Sequence, residues 1–95
     1  MKILFELNEV YRAGYTNHPL FWRELDNLDL TETWRFAKLL SETRLVTGGD
    51  WAQLCSFLDS HRRTPGWRLT GKQARWLKIL VVKHYRELEV LLELA

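Results

Sequence analysis

The chain has 95 residues, of which 46% are hydrophobic and 27% are charged, and its formal net charge at pH 7 is +2. This composition excludes an intrinsically disordered chain. A chain of this length can bury roughly two-thirds of the surface that it exposes when unfolded, so we expect a single domain with one core. A net charge this small does not by itself indicate a dedicated nucleic-acid-binding protein.

Several structural classes can be set aside from residue usage. Cys55 is the only cysteine, so no disulfide can form within the chain. The apolar run at residues 1–6 is too short for a signal peptide. The longest uninterrupted apolar stretch of the final helical segment, Ile79 to Val82, is far shorter than a membrane span. We therefore expect a cytoplasmic protein that does not cross a membrane.

The N-terminal third is predicted to hold two helices. Apolar residues between Ile3 and Tyr11 recur at helical spacing, although residues 2–10 also fit a strand. We predict a helix over 2–13, which Gly14 would end. Asn17-His18-Pro19 is typical of a helix start, because proline is tolerated at the first helical position, and it predicts a second helix over 19–28.

A third helix is predicted over 31–46. Asp29 or Thr31 can cap its first turn, and Glu32 is favourably placed at the positive N-terminal end. Its inward-facing residues recur at helical spacing, and Gly48-Gly49 is expected to end it.

A fourth helix is predicted over 50–62. Asp50 followed three residues later by Gln53 has the pattern of a capping box. The sequence Thr64-Pro65-Gly66 then predicts a turn, because proline presets one backbone dihedral angle and glycine supplies the freedom for the next.

The last third is predicted to form one long helix over 71–94. Thr70 can accept a hydrogen bond from the first turn, and Gln73 can reach back to the Thr70 amide, which together form a capping box. No proline or glycine follows Gly71. A helix of this length would span the whole domain, so we expect the other helices to pack against it.

The faces of this last helix differ in polarity. When the residues are placed at 100° intervals around the helix axis, one side forms a core face: Leu77, Leu80, Val81, His84, Leu88, Leu91 and Leu92. Apolar residues also lie on or beside the opposite side, namely Trp76, Ile79, Val82, Val90 and Leu94. A helix that is apolar on nearly every side needs a second partner, which is either the N-terminal segment of this chain, the favoured alternative, or another protein.

The predicted fold class is all-α, a compact bundle of about five helices with one long C-terminal helix. Five tryptophans are many for such a short chain, and most of them should lie in the core. If the helices cannot cover all five, we expect the exposed ones, which would mark a partner surface, to be Trp67, in a predicted loop, and Trp76, off the core face of the last helix.

The sequence offers little that indicates catalysis. His18, His61 and His84 lie in separate segments, without metal-type spacing to one another or to Cys55. His84 on an apolar helix face is more typical of a hydrogen-bonded core residue than of a ligand. Cys55 lies on the predicted buried side of its helix, where a cysteine behaves as a small hydrophobe. We therefore expect a protein that is not an enzyme and that binds neither metal nor cofactor.

Charge is distributed unevenly along the chain. Residues 1–43 carry five basic and seven acidic side chains, whereas residues 44–95 carry nine basic and five acidic ones. Residues 60–86 contain eight lysines and arginines and no acid, interleaved with aromatic residues. Such a run can contact phosphates and stack on bases, but it is equally typical of the solvated outside of a loop and a helix.

One short segment resembles a known type of sequence. The segment Leu69-Thr70-Gly71-Lys72-Gln73-Ala74-Arg75-Trp76-Leu77, preceded by Phe57-Leu58 and by the Arg62-Arg63 pair, resembles an LT or LS followed by x-K-Q-x-x-W. That pattern occurs in many small helical proteins of phages and other mobile elements, often beside replication or recombination functions. The resemblance is confined to residues 57–77 and implies a mobile-element or defence-related setting.

Two functional hypotheses follow. The first is a non-catalytic accessory subunit of a nucleoprotein assembly, which contacts the backbone of DNA or RNA through residues 61–86. Its predicted contacts are Arg62, Arg63, Trp67, Arg68, Lys72, Arg75 and Lys78. The second is a phage-type inhibitor or adaptor that binds a larger host protein. Its predicted interface, which could equally be hidden in a homodimer, is Trp76, Ile79, Val82 and Val90.

Overall fold

The structure, a computed structural model, describes residues 2–43 and 45–94. Over these residues the regular secondary structure is all helical, with no strand, which confirms the all-α prediction and makes the N-terminal segment a helix. The helices are α1 (Lys2–Arg12), α2 (Pro19–Asp26), α3 (Leu30–Thr43), α4 (Gly48–Arg63), α5 (Gly71–Lys83) and α6 (Tyr85–Leu94). The described part therefore has six helices where five were predicted. The third predicted helix includes Arg44, which lies outside the described residues.

Three helix starts form as their sequences predict. The His18 ring accepts a hydrogen bond from the Leu20 amide, with Pro19 as the first residue of α2. The Asp29 carboxylate accepts from the Glu32 amide at 3.0 Å and so caps α3. Both hydrogen bonds of the Thr70 and Gln73 capping box are present at the start of α5. Each of these caps joins residues at most three positions apart, so neighbouring sequence is enough to specify it.

The predicted capping box at the start of α4 does not form. The helix begins at Gly48, two residues before Asp50, with Thr47 in extended conformation before it and no side-chain cap. Gly48 has a φ of 65°, a conformation that favours glycine, and this residue lets the chain turn directly into the helix. Asp50 therefore lies within the first turn, where its carboxylate is 3.4 Å from the Lys83 ammonium group.

The predicted single C-terminal helix is divided at His84. His84 caps α5 with a φ of −101° and a ψ of 21°, and α6 starts at the next residue. The Asn8 side chain of α1 donates a 2.8 Å hydrogen bond to the Val82 carbonyl. In a continuous helix that carbonyl would accept the amide of Arg86, so a buried side chain takes a position in the helical hydrogen-bond ladder. The helix breaks at this point although neither proline nor glycine is present.

Helix α5 lies at the centre of the packing. It contacts α1, α2 and α3, while α6 contacts α1 and α3, and α4 packs on α3. The core contains leucine, valine and aromatic side chains from all six helices, among them Leu7, Leu25, Leu40, Leu54, Leu77 and Leu88. The radius of gyration of 13.1 Å is that of a compact chain of this length. Among the described helices, none combines the length and apolar character needed to cross a membrane.

The core face of the C-terminal segment was predicted in part. Leu77, Leu80, Val81 and Leu88 are buried as expected, whereas Leu92 is exposed. Val82, which helical periodicity placed on the outer side, is fully buried because α1 packs there. The second partner of this segment is thus the N-terminal helix of the same chain, the favoured of the two alternatives.

Candidate functional site

Two of the predicted phosphate contacts, Arg75 and Lys78, instead join α5 to α2. The Arg75 guanidinium makes two hydrogen bonds to the Asp26 carboxylate, at 3.1 and 2.6 Å, and its central carbon lies 5.0 Å from the centre of the Trp22 ring. The hydrogen bond from Arg75 lowers the pKa of Asp26 below its ordinary value, despite an opposing effect of burial. This pairing satisfies the Arg75 charge within the protein.

Lys78 is buried, and its ammonium group donates a 2.8 Å hydrogen bond to the Asp26 main-chain carbonyl. Asp26 is the last residue of α2, where carbonyls lack partners within the helix and the helix dipole is negative. Lys78 therefore caps the C-terminus of α2. Lys78 therefore has no free charge for a phosphate backbone, and Arg75 is already paired with Asp26 although 48% of its side chain is exposed.

Arg62 and Arg63 remain at the surface. Both guanidinium groups lie 2.9 Å from the same carboxylate oxygen of Asp59, one turn earlier on α4. One carboxylate is thus shared by two exposed arginines, so the pair keeps a net positive charge. Exposed ion pairs of this kind are weak and can open for another anion at little cost.

Arg68 and Lys72 are exposed in the connection after α4 and in the first turn of α5. Neither has a carboxylate within 4.0 Å in the part of the chain that the structure describes. Lys72 lies beside the N-terminal end of α5, where helix amides contribute additional positive potential. Both side chains are available to a partner.

Trp67 and Trp76 are less exposed than predicted, because both rings join an aromatic cluster. Phe57 contacts Trp76 and Trp67 at ring-centre distances of 5.4 and 6.1 Å, and Trp67 lies 6.5 Å from Trp34. Each of these tryptophans is half-buried. The tryptophan with the largest exposed fraction is Trp51 on α4. The turn before Trp67 forms as predicted, closed by a hydrogen bond from its amide to Thr64.

An open groove of about 1080 Å³ runs between α3 and α4. Three cations line it, Arg35 and Lys38 from α3 and Arg62 from α4, together with the carboxylates of Glu42 and Asp59. At one side His61 lies over the half-buried Trp34, with a ring-centre distance of 4.7 Å. The groove thus combines positive charge with an exposed imidazole face.

The sequence interpretation missed Arg35 and Lys38. They lie in the half of the chain with excess negative charge, so a count along the sequence did not select them. Their spacing of three residues on a predicted helix does indicate a shared outer face. The sequence does not show which helix would face them.

We call the six exposed cations of α3, α4 and the start of α5 the basic edge: Arg35, Lys38, Arg62, Arg63, Arg68 and Lys72.

The apolar strip predicted on the last helix does not exist as a continuous surface. Val82 is buried, and Trp76 and Ile79 are half-buried against the core. Val90 is exposed but lies on α6, beyond the break at His84. A partner could therefore reach only one of these four residues fully.

The three histidines lie at three different places in the fold, and Cys55 lines the same groove as His61. His18 caps α2, His61 stacks on Trp34, and the buried Nδ1 of His84 is 3.5 Å from the Glu87 carboxylate. Cys55 is half-buried in the groove between α3 and α4. Within residues 2–43 and 45–94, no three His, Cys, Asp or Glu side chains are grouped so that they could hold a metal ion.

The chain was compared with protein families, curated proteins and solved structures. No protein family, no curated protein and no solved structure shows significant similarity to the chain.

Proposed function

We propose that this protein is a non-catalytic, cytoplasmic helical module that binds the backbone of a nucleic acid through its basic edge, as an accessory subunit of a nucleoprotein assembly. The observation that carries the proposal is the convergence of cations from two helices on one groove. Arg35 and Lys38 of α3 face Arg62 of α4 across it. Arg63, Arg68 and Lys72 are further exposed cations, which follow Arg62 along the chain.

The chemistry of these side chains fits phosphate contacts. Guanidinium groups donate two hydrogen bonds to one phosphate, and lysines act as compact point charges. The exposed face of the His61 ring, supported from behind by Trp34, offers a surface on which one base can stack. Because the proposed contacts are to the phosphate backbone, we expect binding with little sequence preference.

Salt dependence tests the proposal. Labelled single-stranded and duplex oligonucleotides of DNA and RNA should bind the protein, and fluorescence anisotropy should show weaker binding as salt rises from about 50 to 200 mM. Each phosphate contact contributes about 0.9 to the slope of log affinity against log salt for duplex DNA. The absence of binding at the lowest salt would refute the proposal.

A pair of double variants locates the site. Replacing Arg35 and Lys38 by glutamine removes two cations from the groove and should reduce the duplex slope by about 2. Arg12→Gln with Arg23→Gln removes the same charge from exposed positions on α1 and α2, outside the groove, and should leave the slope unchanged. Equal losses in both variants would mean that net charge alone causes binding.

The arginines of α4 provide a second test. Arg62→Gln with Arg63→Gln should weaken binding while leaving the unfolding midpoint nearly unchanged, because both side chains are exposed. Glutamine is preferable to glutamate here, since a new carboxylate would be repelled by Asp59. If this variant binds like the parent protein, the basic edge does not extend to α4.

A further inference from the structure

A second groove lies between α1 and α2. It has a volume of about 390 Å³, and its floor includes the buried side chains of Leu7 and Phe21. Three large apolar side chains around it are unusually exposed: Ile3 by 51%, Leu20 by 53% and Tyr15 by 68%. Their clustering around one concave surface distinguishes them from scattered exposed apolar residues.

The groove between α1 and α2 could accommodate a third helix lying along both of them. Helices α1 and α2 pack directly on each other, and the groove follows their contact. On α1 the lining positions Ile3, Leu7 and Val10 are spaced by four and three residues, so they form one stripe along the helix. An amphipathic helix with apolar anchors at the same spacing can lie along such a stripe.

The charge of the residues lining the groove determines which kind of helix would bind there. Glu6 of α1 and Glu24 of α2 are exposed and line the groove. Neither forms an ion pair in the described part of the chain. No lysine or arginine lines the groove, and the only other ionisable groups there are His18, whose ring already caps α2, and the Tyr15 phenol. An occupant with lysine or arginine beside its apolar face would therefore be favoured over an acidic one.

This charge pattern also argues against helix α6 of a second copy of the chain as the occupant. Among the residues of α6 whose burial the structure describes, the exposed apolar ones are Val90 and Leu92, and their neighbours Glu89 and Glu93 are acidic. Docking α6 of another copy would bring these carboxylates towards Glu6 and Glu24. We propose that the α1–α2 groove binds a basic amphipathic helical segment of a protein partner, at a site separate from the basic edge and independent of nucleic-acid binding.

Two synthetic peptides test this inference. Both carry leucines at positions i, i+3, i+4 and i+7, but one has lysines and the other glutamates on the flanking positions. The lysine peptide should bind at least about tenfold more tightly, because it complements the two carboxylates. Its amide chemical-shift changes should centre on Ile3, Tyr15 and Leu20. Equal affinities for the two peptides, or shifts centred on α6, would overturn the proposal.

Matched variants separate the apolar and the charged contributions. Leu20→Ser should weaken binding of the lysine peptide by about tenfold, whereas Val90→Ser, at a residue of nearly equal exposure, should leave it unchanged. Glu6→Gln with Glu24→Gln should remove the preference for lysine over glutamate. Sedimentation must show the same monomeric mass for the parent and Leu20→Ser. A dimer that dissociates in Leu20→Ser would identify a second copy as the occupant and overturn the proposal.

Discussion

The side chain of Asn8 in α1 donates a 2.8 Å hydrogen bond to the main-chain carbonyl of Val82, 74 residues later in the chain. Both residues are buried, and the bond lies where α5 ends and α6 begins. It connects the N-terminal helix to the only break in the C-terminal helical segment, residues 71–94. A buried polar group is costly unless it is paired; this bond pairs the Asn8 amide nitrogen, whereas Asn8 Oδ1 is buried and has no partner in the described part of the chain.

Removing the Asn8 amide should destabilise the fold. Asn8→Ala leaves the Val82 carbonyl without its donor and opens space in the core, so we expect a loss of about 1–3 kcal/mol in the free energy of unfolding. Urea denaturation followed by tryptophan fluorescence measures this loss. Asn17→Ala, at an exposed loop position, serves as the control and should change little. Equal midpoints for Asn8→Ala and the parent would show that the hydrogen bond does not hold α1 in place.

Replacing Lys78 should destabilise the fold far more than replacing Lys72, although both lysines belong to the basic run at residues 60–86. Lys78→Ala removes a buried charged donor from the end of α2, and we expect it to cost about 1.5–3 kcal/mol. Lys72→Ala alters an exposed residue and should stay within about 0.5 kcal/mol of the parent. Thermal and urea unfolding compare the two. A Lys72 variant that is the less stable of the pair would contradict the structural role of Lys78.

Asp26 should make stability depend on acid pH. The hydrogen bond from Arg75 lowers its pKa in the folded protein. A carboxyl with a lowered folded pKa adds stability above its unfolded pKa of about 3.9, and this contribution is lost as the pH falls through the folded value. The difference in urea midpoint between the parent and Asp26→Asn should therefore be largest near neutral pH and shrink below about pH 4. A difference that grows in acid would contradict the assignment.

The two threonines that precede α4 and α5 provide a test of helix capping. Thr70 accepts a hydrogen bond from the Gln73 amide, so Thr70→Ala should cost about 0.5–2 kcal/mol. Thr47 precedes α4 without any side-chain cap, and Thr47→Ala should have a smaller effect. Circular dichroism during urea unfolding gives both values. Equal costs would mean that threonine acts at these positions through the backbone and not through its hydroxyl group.

Features that depend on adjacent residues were predictable from the sequence. The cap at Thr70, the start of α2 at Pro19 and the turn at Thr64-Pro65-Gly66 all formed as expected. Each is specified by the conformational preferences and hydrogen-bonding groups of residues within three or four positions. The all-α class followed from helical periodicity for the same reason.

The candidate site was less predictable, because the sequence shows where lysines and arginines occur but not which acidic or carbonyl groups pair with them in the fold. Arg75 and Lys78 belong to the basic run, but Asp26, about 50 residues earlier, holds both. Arg35 and Lys38 lie in the half of the chain with excess acid, yet they face the groove beside α4. Whether a charged side chain is free depends on what tertiary packing places within reach of it.

The sequence by itself determined which segments are helical, where most of them start, and which side of α5 is most apolar. Tertiary structure alone decided that Val82 is buried, that the C-terminal segment breaks at His84, and that the exposed apolar groove lies on α1 and α2. The physical reason is the distance along the sequence over which each interaction acts. Capping and periodicity involve residues within one or two helical turns, whereas the Asn8 hydrogen bond and the packing of α1 join residues 74 positions apart.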